Sequence, residues 1–173
     1  MSKVNLEVAL ADITTLKVDV VVNAAKSSLR GGGGVDGAIH AAAGPKLLEY
    51  LGRFTTCDTG DVRVSPGFDL PAKHIVHAVG PIWRGGNAEE EKNLRSCYLK
   101  SIEQAALLGA KSIAFSAIST GVYGYPKRAA ATTAVNAVRE GLKRYSTDLE
   151  RVVFVAFEVE DYGFLSEALN ENE

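Results

Sequence analysis

Four consecutive glycines, Gly31 to Gly34, stand between an apolar run that ends at Asn23 and a stretch of small residues that begins near Val35. Glycine loses more chain entropy on folding than any other residue. A run of four therefore argues for a place where the backbone must come close to something. The order strand, glycine loop, helix presents bare amide N–H groups and a helix N-terminus, a combination suited to a phosphate or a sugar. A second segment has the same character: Ser119-Thr120-Gly121-Val122-Tyr123-Gly124 follows the apolar run Ser112 to Ala117 and precedes Pro126, which suits the first turn of a helix. Two such loops at neighbouring strand ends can hold a diphosphate between them, with Tyr123 and Tyr125 adding flat apolar surface.

The rest of the chain reads as alternating strands and helices. Strands are expected at Leu6–Leu10, Val18–Val22, Asp61–Ser65, His74–Val79, Ser112–Ala117 and Arg151–Phe157. Helices are expected at Val35–Ala43, Pro45–Leu51, from Ala88 to a stop at Gly109, from Pro126 to about Arg144, and at Tyr162–Leu169, with Asn170 to Glu173 a fraying tail. Alternation of this kind implies an α/β fold whose sheet is largely parallel and covered on both faces. Ligands of such sheets bind beyond the carboxyl ends of the strands. Asn23–Gly34, Ser119–Gly124 and Glu158–Asp161 are the polar or glycine-rich segments at those ends.

Several function classes are disfavoured. The formal net charge of −2 gives no bulk basic surface for nucleic acid. No apolar run approaches the roughly 18 residues of a membrane helix, and Met1 to Asn5 lacks a signal-peptide pattern. The expectation is one cytoplasmic domain over residues 1–173, with no membrane partner. The triphosphate-binding pattern Gly-x-x-x-x-Gly-Lys-Ser/Thr is absent. Gly32, Gly34 and Gly37 match Gly-x-Gly-x-x-Gly, but no acidic strand end lies about 20 residues on, which argues against a dehydrogenase. His74 and His77 point to opposite faces of one strand and lack partners at ligand spacing, so no metal is expected. Cys57 and Cys97 fall outside both loops and read as free thiols, and Glu89 to Glu91 as a solvated first helical turn.

Asp12-Ile13-Thr14, Val22-Asn23-Ala24-Ala25, Gly31 to His40, Ala43-Gly44-Pro45, His77 to Trp83 and Ile118 to Pro126 together resemble, in order and over almost the whole chain, the macrodomain family and its MacroD-like hydrolase branch. The resemblance implies a three-layer α/β/α fold with a mostly parallel mixed central sheet and no cofactor. It implies binding of ADP-ribose and hydrolysis of its esters, O-acetyl-ADP-ribose and mono-ADP-ribosyl carboxylates on proteins among them. By the same resemblance Asp12 would accept a hydrogen bond from adenine, with Ile13 beside the ring and Phe157 at its border. Gly33, Gly34 and Val35 would line the distal half of the pocket. Ser119, Thr120, Gly121, Val122 and Tyr123 would wrap the diphosphate. Asn23 would bond a distal ribose hydroxyl, and Asp36 would be the catalytic carboxylate that orients or deprotonates a water. Without the resemblance, Asp36 reads as a helix N-cap and Asp12 as a turn residue.

One position departs from the family pattern. The usual Asn-Ala-Ala-Asn is here Asn23-Ala24-Ala25-Lys26. An amide donates and accepts, whereas an ammonium only donates. Lys26 either pairs with Asp36 and lowers its basicity, or offers its charge to an oxyanion during the reaction. The first outcome makes the chain a reader of ADP-ribose with little turnover, and the second keeps it an enzyme.

Overall fold

The computed structural model describes residues 3–171, so Met1, Ser2, Asn172 and Glu173, parts of the N-terminal and tail expectations, lie outside it. Its centre is one six-stranded sheet in the order β1-β6-β5-β2-β4-β3. The strands are β1 (Asn5–Leu10), β2 (Val20–Ala25), β3 (Val62–Pro66), β4 (His74–Val79), β5 (Ser112–Phe115) and β6 (Arg151–Ala156). All neighbours run parallel except the edge pair β3 and β4. The helices are α1 (Gly34–Ala43), α2 (Pro45–Leu51), α3 (Glu90–Leu107), α4 (Lys127–Arg144) and α5 (Val159–Asn170). Among the described residues no helix is long and apolar enough to cross a membrane.

Side-chain alternation along the strands builds two cores. Val20 and Val22 of β2, Val76 and Ala78 of β4, and Phe115 of β5 pack with α3, α4 and α5 on one face. Val21 and Ala25, Ile75 and Val79, and Ala114 pack with α1 and α2 on the other. Burying one such side chain contributes about 1.5–3 kcal/mol. The layers are therefore helix, sheet, helix, and β2 is buried on both faces as its β-branched run predicts.

Several boundaries differ from the expected ones, each for a local reason. β2 starts later than Val18 and runs past Asn23, because Asn23, Ala24 and Ala25 continue the ladder against His77, Ala78 and Val79. Alanines favour strands poorly and hide this extension. β5 stops at Phe115 rather than Ala117, since the Ser116 amide and hydroxyl both donate to the Val22 carbonyl, at 3.2 and 2.7 Å, and close the ladder. α5 starts three residues before Tyr162, with Glu158 as its N-cap residue. A 3-10 turn over Ile13–Thr15, capped by Asp12, is an element that the periodicity does not reveal.

Glu90 overturns the reading of a solvated acidic turn. It is 1% exposed, and its carboxylate accepts the backbone N–H groups of Arg84, Gly86 and Ala88 at 2.8, 2.8 and 2.6 Å. These bonds, the Arg84 one foremost, hold its pKa down at about 2. The loop so gathered carries Trp83, whose ring lies 4.8 Å from that of Tyr125 and whose amide donates to the Tyr123 carbonyl at 2.8 Å. An internal anion thereby props the second glycine loop from behind.

Because the folded pKa lies below the ordinary 4.5, the stability that Glu90 supplies is complete above about pH 4.5 and disappears as pH falls toward 2. Glu90→Gln should lower the melting temperature by several degrees at pH 7 and should flatten the acid limb of the stability profile in that window. Thermal melts from pH 2 to 7 check both.

Candidate functional site

β2 and β5 are adjacent, but the chain leaving β2 passes through α1 and α2 toward β3 and β4, while the chain leaving β5 passes through α4 toward β6 and β1. The outgoing loops diverge and leave a crevice at the carboxyl ends of the two strands, where ligands of open α/β sheets bind. Two joined cavities fill it. A proximal one of about 400 Å³ is lined by Asp12, Ile13, Thr120 and Phe157, among others. A distal one of about 290 Å³ is lined by Lys26, Gly33, Asp36, Ser119, Val122 and Tyr123, among others. Gly34, Val35 and Gly121 border both. The two glycine segments thus meet across one crevice, and Gly34 and Val35 serve both halves rather than the distal half alone.

Most amide N–H groups of both loops are unengaged. Among the described residues, no amide from Gly31 to Asp36 and none from Thr120 to Tyr123 donates to a protein acceptor. Gly34 has φ +57 and Ser119 has φ +67, left-handed conformations that turn successive amides toward one side. A glycine meets that demand freely, whereas Ser119 is strained by it. The α1 N-terminus adds partial positive charge. Such a surface suits a multiply charged anion.

At the proximal end, Asp12 Oδ1 accepts the Thr14 amide at 2.9 Å and the Thr14 hydroxyl at 2.7 Å. The hydroxyl first, and the amide second, hold its carboxyl below the ordinary range, so Asp12 is anionic. The turn role is real, and it leaves Oδ2 unengaged at the cavity. Phe157 is 82% exposed, so its ring serves the cavity mouth and not the core.

At the distal end, Asp36 is the third residue of α1, and the N-cap is Gly33, so the capping reading fails. Asp36 is 4% exposed. Its Oδ1 accepts the Asn23 amide at 2.8 Å and lies 3.5 Å from His40 Nε2, while its Oδ2 has no partner. Asn23 is fully buried and lines neither cavity. The expected bond from Asn23 to a ribose hydroxyl is therefore corrected. Strand alternation points its side chain under α1, and its amide holds Asp36. Lys26 is exposed and forms no ion pair with Asp36 or any other described residue. Its Cε and Nζ lie over Gly32, 2.7 and 2.9 Å from where a Cβ would stand, with Asp36 Oδ2 3.4 Å from the same point. The ammonium is thus a neighbour of the free carboxylate oxygen without neutralising it.

Sequence reasoning missed three contributors. His77 and Ser65 lie beneath Asn23, fully or almost fully buried. Their signal was present, since Asn23, His77 and Ser65 are the polar residues at alternation positions otherwise held by Val21, Ile75 and Val79. Gly80 borders the distal cavity. A Cβ there would stand 2.2 Å from Ser119 Oγ and 2.5 Å from Ile118 Cγ2, so only a bare backbone lets the second loop close down. Tyr125 is a core residue. Burial pushes the thiols of Cys57 and Cys97 up to about 11 and about 12, which leaves them unreactive.

Gly80→Ala should destabilise the fold by about 1–3 kcal/mol through overpacking, read from denaturant midpoints, and should disorder the segment around Ser119 in amide exchange. A midpoint equal to that of the parent would mean that the loop yields freely.

Comparison with known proteins gives one consistent result. The family model described as Macro domain matches residues 22–134. A protein of Enterobacter sp. (strain 638) named O-acetyl-ADP-ribose deacetylase is 52% identical over 163 residues, covering 92% of this chain and 90% of the relative. Human ADP-ribose glycohydrolase MACROD2 is 44% identical over 161 residues, covering 92% of this chain and 38% of that protein. The crystal structure of a Trypanosoma brucei macrodomain in complex with ADP-ribose superposes with a TM-score of 0.88 at 37% identity, over 95% of this chain and 68% of that one.

Proposed function

The chain belongs to the macrodomain family, and on that premise we propose that it binds ADP-ribose in the crevice and hydrolyses ADP-ribosyl esters, O-acetyl-ADP-ribose first among them. Mono-ADP-ribosylated carboxylate side chains of proteins are the second substrate class. The relatives named for deacetylase and glycohydrolase activity support a hydrolase. The observation that carries the reading is Asp36, buried at the distal cavity with one oxygen held and the other free.

In this reading adenine lies against Ile13 and Phe157 with its amino group toward Asp12, and the diphosphate takes the unengaged amides of Gly31–Asp36 and Thr120–Tyr123. The distal ribose then lies near Tyr123, Lys26 and Asp36. Asp36 Oδ2 accepts a hydrogen bond from a water and removes its proton as the water oxygen attacks the ester carbonyl. The Lys26 ammonium stabilises the oxyanion that forms. The bond between the acyl carbon and the ribose oxygen breaks as Asp36 returns its proton to that oxygen, and the acetyl group departs as acetic acid, which loses its proton to solvent as acetate.

Asp36→Ala should lower turnover of O-acetyl-ADP-ribose on the order of a hundredfold or more, while calorimetry gives an ADP-ribose affinity within about tenfold of the parent, because the main-chain contacts survive. Parent turnover no faster than that of Asp36→Ala would sink the enzyme reading. Asp12→Ala should weaken ADP-ribose binding by about tenfold, as expected for one lost charged hydrogen bond. The rival reading, a reader module, rests on Lys26. Since Lys26 does not pair with Asp36, Lys26→Asn should leave turnover within about tenfold. A gain of about a hundredfold at constant affinity would identify the native chain as a reader.

A further inference from the structure

Beneath the distal cavity lies a line of buried polar groups that ends at Asp36. The Asn23 side-chain amide donates one hydrogen to Asp36 Oδ1 at 2.8 Å and the other toward His77 Nδ1 at 3.2 Å. On the far side of the ring, His77 Nε2 lies 2.9 Å from Ser65 Oγ. Ser65 Oγ in turn donates to the Pro66 carbonyl at 3.1 Å. Asn23 and His77 are fully buried, and Ser65 is 1% exposed.

The directions of these bonds follow from one another. The Asp36 carboxylate can only accept, so the Asn23 nitrogen faces it and meets His77 Nδ1 as an acceptor, which leaves Ser65 Oγ, its own proton on the Pro66 carbonyl, to accept from Nε2. His77 therefore carries its proton on Nε2 and offers a lone pair at Nδ1. That lone pair needs a donor, which turns the Asn23 N–H groups, and not its carbonyl, toward both His77 and Asp36. A flipped amide would set its single oxygen against both the Asp36 carboxylate and the Nδ1 lone pair. Burial first, and the neighbouring His40 second, push the His77 pKa down to about 3, so the ring is neutral and the arrangement persists across ordinary pH. The Asn23 carbonyl oxygen has no partner. A buried acceptor left unsatisfied costs about 1–3 kcal/mol, so this orientation holds because the two donor bonds outweigh that cost.

We infer that Ser65 and His77 are positioning residues for the reaction: they fix the Asn23 amide so that Asp36 is gripped through Oδ1 and presents Oδ2 alone to the attacking water. The inference deepens the hydrolase reading and rests on it. The antiparallel edge strand β3 contributes Ser65, so a residue at the sheet edge sets the hydrogen-bonding direction three side chains away. His77 and Ser65 line neither of the two joined cavities, and a purely packing role would need neither nitrogen.

Three variants test this. His77→Leu keeps volume and removes the acceptor. His77→Asn restores an acceptor near the Nδ1 position. Ser65→Ala removes only the group that sets the tautomer, and it carries the test should His77→Leu fail to fold. For O-acetyl-ADP-ribose, His77→Leu should lower kcat about 10- to 100-fold, with KM and the ADP-ribose Kd within about twofold. His77→Asn should recover most of that loss, and Ser65→Ala should lose about threefold to tenfold in kcat. In imidazole nitrogen NMR the parent His77 should be the Nε2–H tautomer, and Ser65→Ala should give a mixture together with a moved Asp36 carboxyl carbon signal. Folded His77→Leu and Ser65→Ala variants with parental kcat overturn the inference, as does an Nδ1–H ring in the parent. Parent turnover equal to that of Asp36→Ala would instead sink the hydrolase reading alone, and the tautomer and the Asp36 signal would then decide the inference, an unmoved signal overturning it.

Discussion

The crevice exists because two neighbouring parallel strands, β2 and β5, send the chain in opposite directions. A helix that follows each strand covers the sheet but cannot fill the gap between the diverging loops. Everything proposed for this protein is arranged around that gap. The glycine run enters it from β2, the Ser119–Gly124 segment enters from β5, and the end of β6 brings Phe157 to the open side. Among the described residues, the amides of Gly31–Asp36 and of Thr120–Tyr123 have no protein acceptor and are left for a ligand.

The second requirement is a carboxylate held rigid without being silenced. The structure meets it from below. An apolar face that elsewhere carries Val21, Ile75 and Val79 is interrupted by Asn23, His77 and Ser65, stacked across three adjacent strands. Buried polar groups destabilise a core unless they are bonded, and here they bond in a line with one direction. The rigidity of the sheet is thereby passed to Asp36. From above, Lys26 brings a positive charge near the free oxygen without pairing to it. From behind, the Glu90 carboxylate gathers the loop that supports Trp83 and Tyr125. The site is thus a pair of glycine loops seated on buried polar supports.

Much of this was legible in residue order. The β-branched run at Val20–Val22 predicts a central strand, and the structure buries it on both faces. The alternation of elements predicts the parallel sheet and its two helical layers, and the glycine segments locate the loops that border the crevice. Less legible was anything set by residues distant in sequence. Asn23 reads as a ligand contact by the family resemblance, yet strand parity turns it under α1. Glu90 reads as solvated because it sits among glutamates, yet three amides of the preceding loop enclose it. Ser65 shows only as a polar residue at an alternation position, and its partner His77 on a different strand is not legible from it.

Local sequence determined the elements, the backbone freedom of Gly31–Gly34 and Gly121–Gly124, and the presence of an acid in the first turn of α1. These are matters of dihedral freedom, periodicity and residue type within a few positions. The tertiary structure alone decided which polar side chains meet: Asn23 with His77 and Asp36, His77 with Ser65, Glu90 with the Arg84–Ala88 backbone. Those meetings depend on strand order and register, and register is settled by the packing of both sheet faces at once, a condition no single segment carries.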